Sequence, residues 1–121
     1  MVITRLRVDL ASATPEFGLF CQRILPWSGD APEPPFGAMA LWVEPGGRSG
    51  VDYHTQEEII LGLSGSGIVH MDGHEDEPFS AGDMLVLPPR HRHVVSNPGS
   101  ERLAFLDLYW PVHEIPDEEP S

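Results

Sequence analysis

Apolar and polar residues alternate with a period of two along most of the chain, in blocks short enough to be strands. Such blocks run over 2–10, 19–25, 38–43, 51–55, 59–63, 68–71, 84–87, 93–96 and 103–110. Between them lie turn formers: Pro45-Gly46-Gly47, Ser64-Gly65-Ser66-Gly67, Asp72-Gly73, Pro88-Pro89 and Asn97-Pro98-Gly99, together with a four-proline loop over 26–37. Asp72-Gly73 reads as a hairpin turn. No longer stretch carries helical spacing. Short strands recurring every 8–12 residues or so predict an all-β fold, a sandwich or a small barrel. No repeat and no linker divides the chain, so one domain is expected over 1–112. An acidic, proline-containing tail over 113–121 is expected to fray.

Composition supports this pattern and restricts the chemistry. Gly 12 and Pro 13 in 121 residues are about twice the usual share, as a turn-rich fold requires. Nineteen acidic residues against seven basic ones give a net charge of −12, and all seven basic residues are Arg. Without Lys there is no Schiff base and no lysine-type phosphate loop. So negative a field argues against nucleic acid and anionic membrane surfaces as partners. The single Cys21 cannot form an internal disulfide, and its apolar surroundings predict a buried, inert thiol. No apolar run reaches the length of a membrane span and no leader pattern opens the chain, so a cytoplasmic protein is expected.

The histidines add candidate chemistry. Asp52 and His54 are two residues apart and point to the same side of an extended segment. A tight turn at Thr55-Gln56 would bring the next strand back, so that Glu58 faces the same space. One further imidazole would complete a mixed nitrogen and oxygen set suited to Zn²⁺, Fe²⁺, Mn²⁺ or Ni²⁺.

The spacing also matches a known pattern. Gly46, Asp52, His54, Glu58 and Gly65 resemble the first cupin motif, G-x5-H-x-H-x3-E-x6-G, with Asp52 at the first His. Gly82, Pro88, Arg90, His93 and Asn97 resemble the second, G-x5-P-x-G-x2-H-x3-N, with Arg90 at its internal Gly. The motifs span 46–97 in the right order, and the flanking strands fit a jelly-roll barrel, the architecture of cupins.

The resemblance implies that His54, Glu58 and His93 ligate one divalent metal ion inside the barrel, with Zn²⁺ preferred over Fe²⁺, Mn²⁺ or Ni²⁺. Asp52 completes the metal set as an oxygen ligand, or else orients His54 from outside it. A solvated strand-end carboxylate is its bland reading. Two carboxylates would balance the ion's charge where the usual three imidazoles leave it cationic, which argues against oxygen activation more than against metal binding. Glu58 and His91 are the candidate catalytic groups; His91 shares parity with His93 and reads equally as a rim residue. Arg90 is either a surface residue paired with a carboxylate or a guanidinium at the barrel mouth. His70, His74 and His113 are expected to be exposed, and Glu75-Asp76-Glu77 to be a solvated loop. Met39, Leu41 and Val43 share one face of their strand and Ala40 and Trp42 the other. Phe105, Asp107 and Tyr109 likewise alternate with Leu106, Leu108 and Trp110. Parity alone does not say which face lines the barrel. Trp27, Trp42 and Trp110 are expected in packing or at a dimer contact.

The function expected is therefore that of a metal-dependent cupin enzyme acting on a small polar or anionic metabolite. Lyase, isomerase or biosynthetic-pathway chemistry suits it better than dioxygenase chemistry. The alternative is a non-catalytic ligand-binding or sensory cupin with a structural metal or none. The resemblance also implies a homodimer, formed through the outer sheet and the 2–10 strand.

Overall fold

The computed structural model describes residues 3–25 and 32–115. Within them, nine strands build two antiparallel sheets, and the single helical element is a 3₁₀ turn, Leu10–Ser12. The strands are β1 (Thr14–Glu16), β2 (Leu19–Leu25), β3 (Gly37–Val43), β4 (Glu57–Ser64), β5 (Ser66–Met71), β6 (Glu77–Ser80), β7 (Met84–Leu87), β8 (His93–Ser96) and β9 (Leu103–Trp110). The larger sheet runs β1-β2-β3-β9-β4-β7 and the smaller β6-β5-β8. Strand β9 inserts between β3 and β4, the long-range crossover that makes the two sheets a jelly roll.

Period two decides the faces once the sheets are stacked. Leu41 pairs with Phe105 and Val43 with Leu103 across β3 and β9, and all four turn inward. They meet Ile60 and Leu87 of the same sheet and Val69, Met71, Phe79 and Val95 of the opposite one in a single core. The Phe79 and Phe105 rings meet edge to face at 6.0 Å across the two sheets. Each such fully buried side chain contributes about 1.5–3 kcal/mol.

The outward face of the larger sheet is apolar as well. On its β2–β3 side Leu10, Ala13, Phe20, Ile24 and Leu106 pack around Ala40, Trp42 and Ala104. On its β4–β7 side Ile59 pairs with Val86 and Leu61 with Met84. Met84 and Val86 are 61% and 65% exposed.

Several sequence expectations need correction. Residues 3–9 do not form a strand despite their alternation, because among the described residues no strand pairs with them in a sheet. They are instead clasped by the Gln22 side chain, which accepts from Asp9 N (3.1 Å) and donates to Arg7 O (2.8 Å). Segment 51–55 is extended but forms no strand; its one ladder contact is an isolated bridge from Asp52 to His93. Strand β6 escaped detection because one of its four residues, Phe79, is buried. Of the tail over 113–121, the described residues 113–115 are bound to the body of the fold. Glu114 accepts from Thr55 N (2.6 Å), and Thr55 Oγ1 donates to Ile115 O (2.8 Å). Trp27, with the first half of the proline-rich loop (26–31), and residues 116–121 lie outside the described residues.

Two turns show what the motif anchors do. Gly65 sits between β4 and β5 at φ +73°, where a Cβ would lie 2.5 Å from the carbonyl oxygen of Arg102, so the position needs glycine. Arg90 adopts φ 65°, the same left-handed conformation that a glycine would supply. The substitution therefore keeps the turn and does not reroute the chain.

Candidate metal centre

Residues 46–54 run alongside 90–97 and are joined to them by backbone hydrogen bonds. Gly46 N donates to Asn97 O (2.8 Å), Asn97 N to Gly47 O (2.9 Å), Ser49 N to Val95 O (2.9 Å) and Arg90 N to His54 O (2.9 Å). Asn97 is 1% exposed, and its amide donates to Val43 O (2.9 Å) and Glu101 O (2.7 Å). Its side chain is thus wholly used in holding the loops, and it is a structural clasp.

This pairing brings four side chains to one point. Glu58 Oε1 lies 3.0 Å from His54 Nε2 and 3.3 Å from His93 Nε2. Asp52 Oδ2 lies 3.9 Å and 4.0 Å from the same two nitrogens. Asp52, His54 and His93 each offer a ligand atom within 4.8 Å of the others. Each imidazole turns its other nitrogen to a backbone carbonyl: His54 Nδ1 to Gln56 O (3.2 Å) and His93 Nδ1 to His91 O (3.0 Å). That arrangement fixes the ring orientation and presents both Nε2 atoms to the same space. The rings lie 5.0 Å apart and nearly perpendicular.

The donor set fits a divalent ion. Ligand atoms about 2.1 Å from an ion stand about 3.0 Å apart at right angles and about 4.2 Å apart when opposed. The carboxylate-to-imidazole separations of 3.0 to 4.0 Å fall within those limits. Glu58 forms the buried side of the set and Asp52, 52% exposed at its side chain, the open side.

Charge is concentrated here. Burial would push the Glu58 carboxyl up, but hydrogen bonds from Asp107, His54 and His93 hold it well below the usual carboxylate range. Burial disfavours the charged form of His54, yet the Glu58 bond and charge, with Asp52, raise it to about 9. His93 is raised against burial by the same Glu58 bond and charge. In the metal-free protein both imidazoles are therefore biased towards the charged form beside one carboxylate held towards ionisation.

The cluster lies on the wall of a cavity of about 600 Å³. Leu19, Cys21, Met39, Leu41, Val95 and Phe105 give that cavity an apolar side, so β3 and β9 turn their Met39 and Phe105 faces inward. Cys21 is buried, and burial pushes its thiol up to about 11, consistent with an unreactive group. Arg23, at the rim, is bound to Glu16 at 2.7 Å.

The structure thus unites Asp52, His54, Glu58 and His93, and it separates His91 from them. His91 is not among the cavity-lining residues; its Nδ1 meets Pro89 O (2.8 Å) and its ring packs edge-on against His74. Strand β8 begins only at His93, so strand parity does not extend back to His91. Arg90 is exposed and likewise does not line the cavity. His74 and His113 are exposed as expected, whereas His70 is half-buried between Asp76 and Ser96. The residue that sequence reasoning passed over is Asp107. It is 5% exposed, lines the cavity and is hydrogen-bonded to Glu58. Its signal was present: it is the one charged residue of an otherwise apolar strand, on the face of Phe105 and Tyr109.

Comparison with known proteins agrees with this picture. The sequence model described as "Cupin domain" matches residues 41–109, more than half of the chain. A cupin 2 conserved barrel domain protein from Salinispora arenicola is 32% identical, with a TM-score of 0.80 over 91% of this chain and 90% of that one. A protein from Photorhabdus luminescens is 31% identical, with a TM-score of 0.78 over 91% of this chain and 88% of that one. An uncharacterised protein of Methanocaldococcus jannaschii is 31% identical over 67 residues, which is 55% of this chain; the match spans about half the length of that relative (53%).

Proposed function

Because the chain belongs to the cupin family, we propose that it is a metal-dependent enzyme that holds one divalent ion through Asp52, His54, Glu58 and His93. The observation that carries this reading is the convergence of Asp52, His54 and His93 within 4.8 Å of one another, with Glu58 Oε1 3.0 and 3.3 Å from the two imidazole nitrogens, on the wall of one cavity. Two imidazoles and two carboxylates suit Zn²⁺ first, with Fe²⁺, Mn²⁺ and Ni²⁺ as alternatives. When bound, the ion supplies a Lewis acid for a substrate oxygen.

The chain's own residues narrow the substrate. Glu16, Asp52, Glu58, Asp107 and Glu114 line the cavity, and the one Arg among its described lining residues, Arg23, is already paired with Glu16. This field favours a neutral polar molecule over a strongly anionic one. The apolar side formed by Leu19, Met39, Leu41 and Phe105 receives its hydrocarbon part. Glu58, buried and ionised, keeps both imidazoles oriented and is the candidate proton acceptor. With two carboxylates in the set, the reading is a lyase, isomerase or biosynthetic-pathway reaction and not a dioxygenase one.

The apolar outer face of β4 and β7 supports a homodimer. No helix among the described residues is long and apolar enough to cross a membrane.

The test is elemental analysis of the purified protein, as isolated and after reconstitution with Zn²⁺, Fe²⁺, Mn²⁺ or Ni²⁺. About one ion per chain is expected. Substoichiometric binding of all four ions overturns the proposal.

A further inference from the structure

The outward face of the smaller sheet carries a second cluster of reactive side chains. Val69, Met71 and Val95 of β5 and β8 point into the core, so His70 and Ser96 point away from it. His70 lies opposite Val94 and Ser96 opposite Ile68, which makes His70 and Ser96 diagonal neighbours on one face. The β5–β6 register, with Val69 opposite Glu77, carries Asp76 beside His70. The three side chains stand in a row: Ser96 Oγ lies 2.7 Å from His70 Nε2, and His70 Nδ1 lies 2.9 Å from Asp76 Oδ1.

The row has a direction. An ionised carboxylate only accepts, so His70 Nδ1 carries the hydrogen and donates it to Asp76. The Nε2 of the neutral ring is then left to accept from the Ser96 hydroxyl. A serine beside a base, with the base held by a carboxylate, is the arrangement that activates an oxygen nucleophile, and it is recognised by geometry on unrelated folds. The row is open to solvent. Ser96 is half-buried, and the His70 and Asp76 side chains are 37% and 64% exposed.

A cation stands on the other side of the serine. Arg48 and Ser96 face each other in an isolated antiparallel bridge, flanked by bonds from Asn97 N to Gly47 O and from Ser49 N to Val95 O. Such a pair makes no mutual hydrogen bond, and its side chains share a face with Cβ atoms about 4.5–5.5 Å apart. The exposed Arg48 guanidinium is therefore within reach of charge developing on an oxygen bound at Ser96. None of these four residues lines the large cavity, so a substrate is met on an open face, which suits a small one.

We propose that Ser96, His70 and Asp76 form a hydrolytic site for small carboxylic esters, separate from the metal centre, with Arg48 steadying the oxyanion. Ser96 Oγ bonds to the ester carbonyl carbon as its proton passes to His70 Nε2. The bond from that carbon to the alcohol oxygen breaks, and the alcohol leaves with the proton from His70. Water then attacks the acyl-serine, giving a proton to His70, and the carboxylic acid departs as Ser96 regains its proton.

The experiment uses the whole chain as isolated. Labelling with a fluorophosphonate, read by peptide mass spectrometry, is paired with hydrolysis of 4-nitrophenyl acetate. The adduct is expected on Ser96. Ser96→Ala and His70→Gln should each lose about 100-fold or more in kcat/KM, and the double variant no more than either alone, because the two act as a unit. Asp76 acts through His70 and is a positioning residue. Asp76→Asn should lower kcat with KM unchanged, and Asp76→Glu should restore part of the loss. Arg48→Gln should also lower kcat. The adduct is read on the wild type, so that result stands should a variant fail to fold. Absence of the adduct from Ser96 overturns the inference, as does ester hydrolysis in Ser96→Ala equal to wild type, or an unchanged kcat in Asp76→Asn.

Discussion

Asp52 and His93 are paired backbone to backbone, the N–H of each donating to the carbonyl of the other at 3.0 and 2.9 Å. The two halves of the candidate centre are therefore joined by main-chain bonds that survive any side-chain change. Asp52→Ala should leave the β-rich circular dichroism spectrum unchanged. It should also lower metal affinity at least as much as loss of an outer partner, about 10-fold or more. Unaltered affinity would show that the Asp52 carboxylate is only a solvated rim group. Asp52→His, which supplies the imidazole of the cupin pattern, should retain binding.

His93 is 6% exposed and contributes its Nε2 beside Glu58. In His93→Ala the ladder between β5 and β8 persists, because it is made by the main chain. Stoichiometric metal binding should vanish while the fold remains, measured by elemental analysis alongside circular dichroism. Metal content equal to wild type would remove His93 from the ligand set.

The metal-free protein should lose stability as the pH rises from about 6.5 to about 9. His54 is raised above its unfolded value, so its ion pair with Glu58 contributes fully below the unfolded value and is lost as the pH passes about 9. His93, also raised, acts in the same direction. Metal affinity should move the opposite way, because binding displaces these protons. Thermal melts in chelator, set beside calorimetric titrations across the same range, check both. A flat melting profile would contradict the paired imidazolium description.

The outer face makes a separate prediction. Val86→Glu puts a charge at the centre of the β4–β7 patch, where Val86 opposes Ile59. Light scattering should find the wild type dimeric and this variant monomeric, with unchanged metal content. A wild type that is monomeric at micromolar concentration would count against the dimer.

Gly65→Ala should destabilise the fold by about 1–3 kcal/mol, since φ is +73° and the new methyl would meet the Arg102 carbonyl at 2.5 Å. Denaturant unfolding measures this. A loss below about 0.5 kcal/mol would mean that the turn relaxes.

How far the fold was legible depended on local signals. Residues 19–25, 84–87, 93–96 and 103–110 declared themselves because each is a short, largely apolar run bounded by polar residues or turn formers. Residues 3–9 alternate, yet a strand requires a neighbour, and whether one arrives depends on the whole chain. In the site, Asp52, His54, Glu58 and His93 were legible through motif spacing, since that spacing encodes two adjoining loops. His91 stands apart from the cavity lining because parity ends with the ladder, at His93. Asp107 was missed because it stands 49 positions from Glu58 and reaches it only through β9 pairing with β4, as Tyr109 lies opposite Glu58. Such contacts are set by register, which no local pattern reveals.

Strand β9 is hydrogen-bonded on both edges, to β3 along residues 103–109 and to β4 along 104–110. The three residues it turns towards the cavity, Phe105, Asp107 and Tyr109, thus belong to the segment whose amides should exchange with solvent most slowly. The floor of the cavity is accordingly built before anything binds. A floor held in this way would select a ligand by a shape already present in the empty barrel.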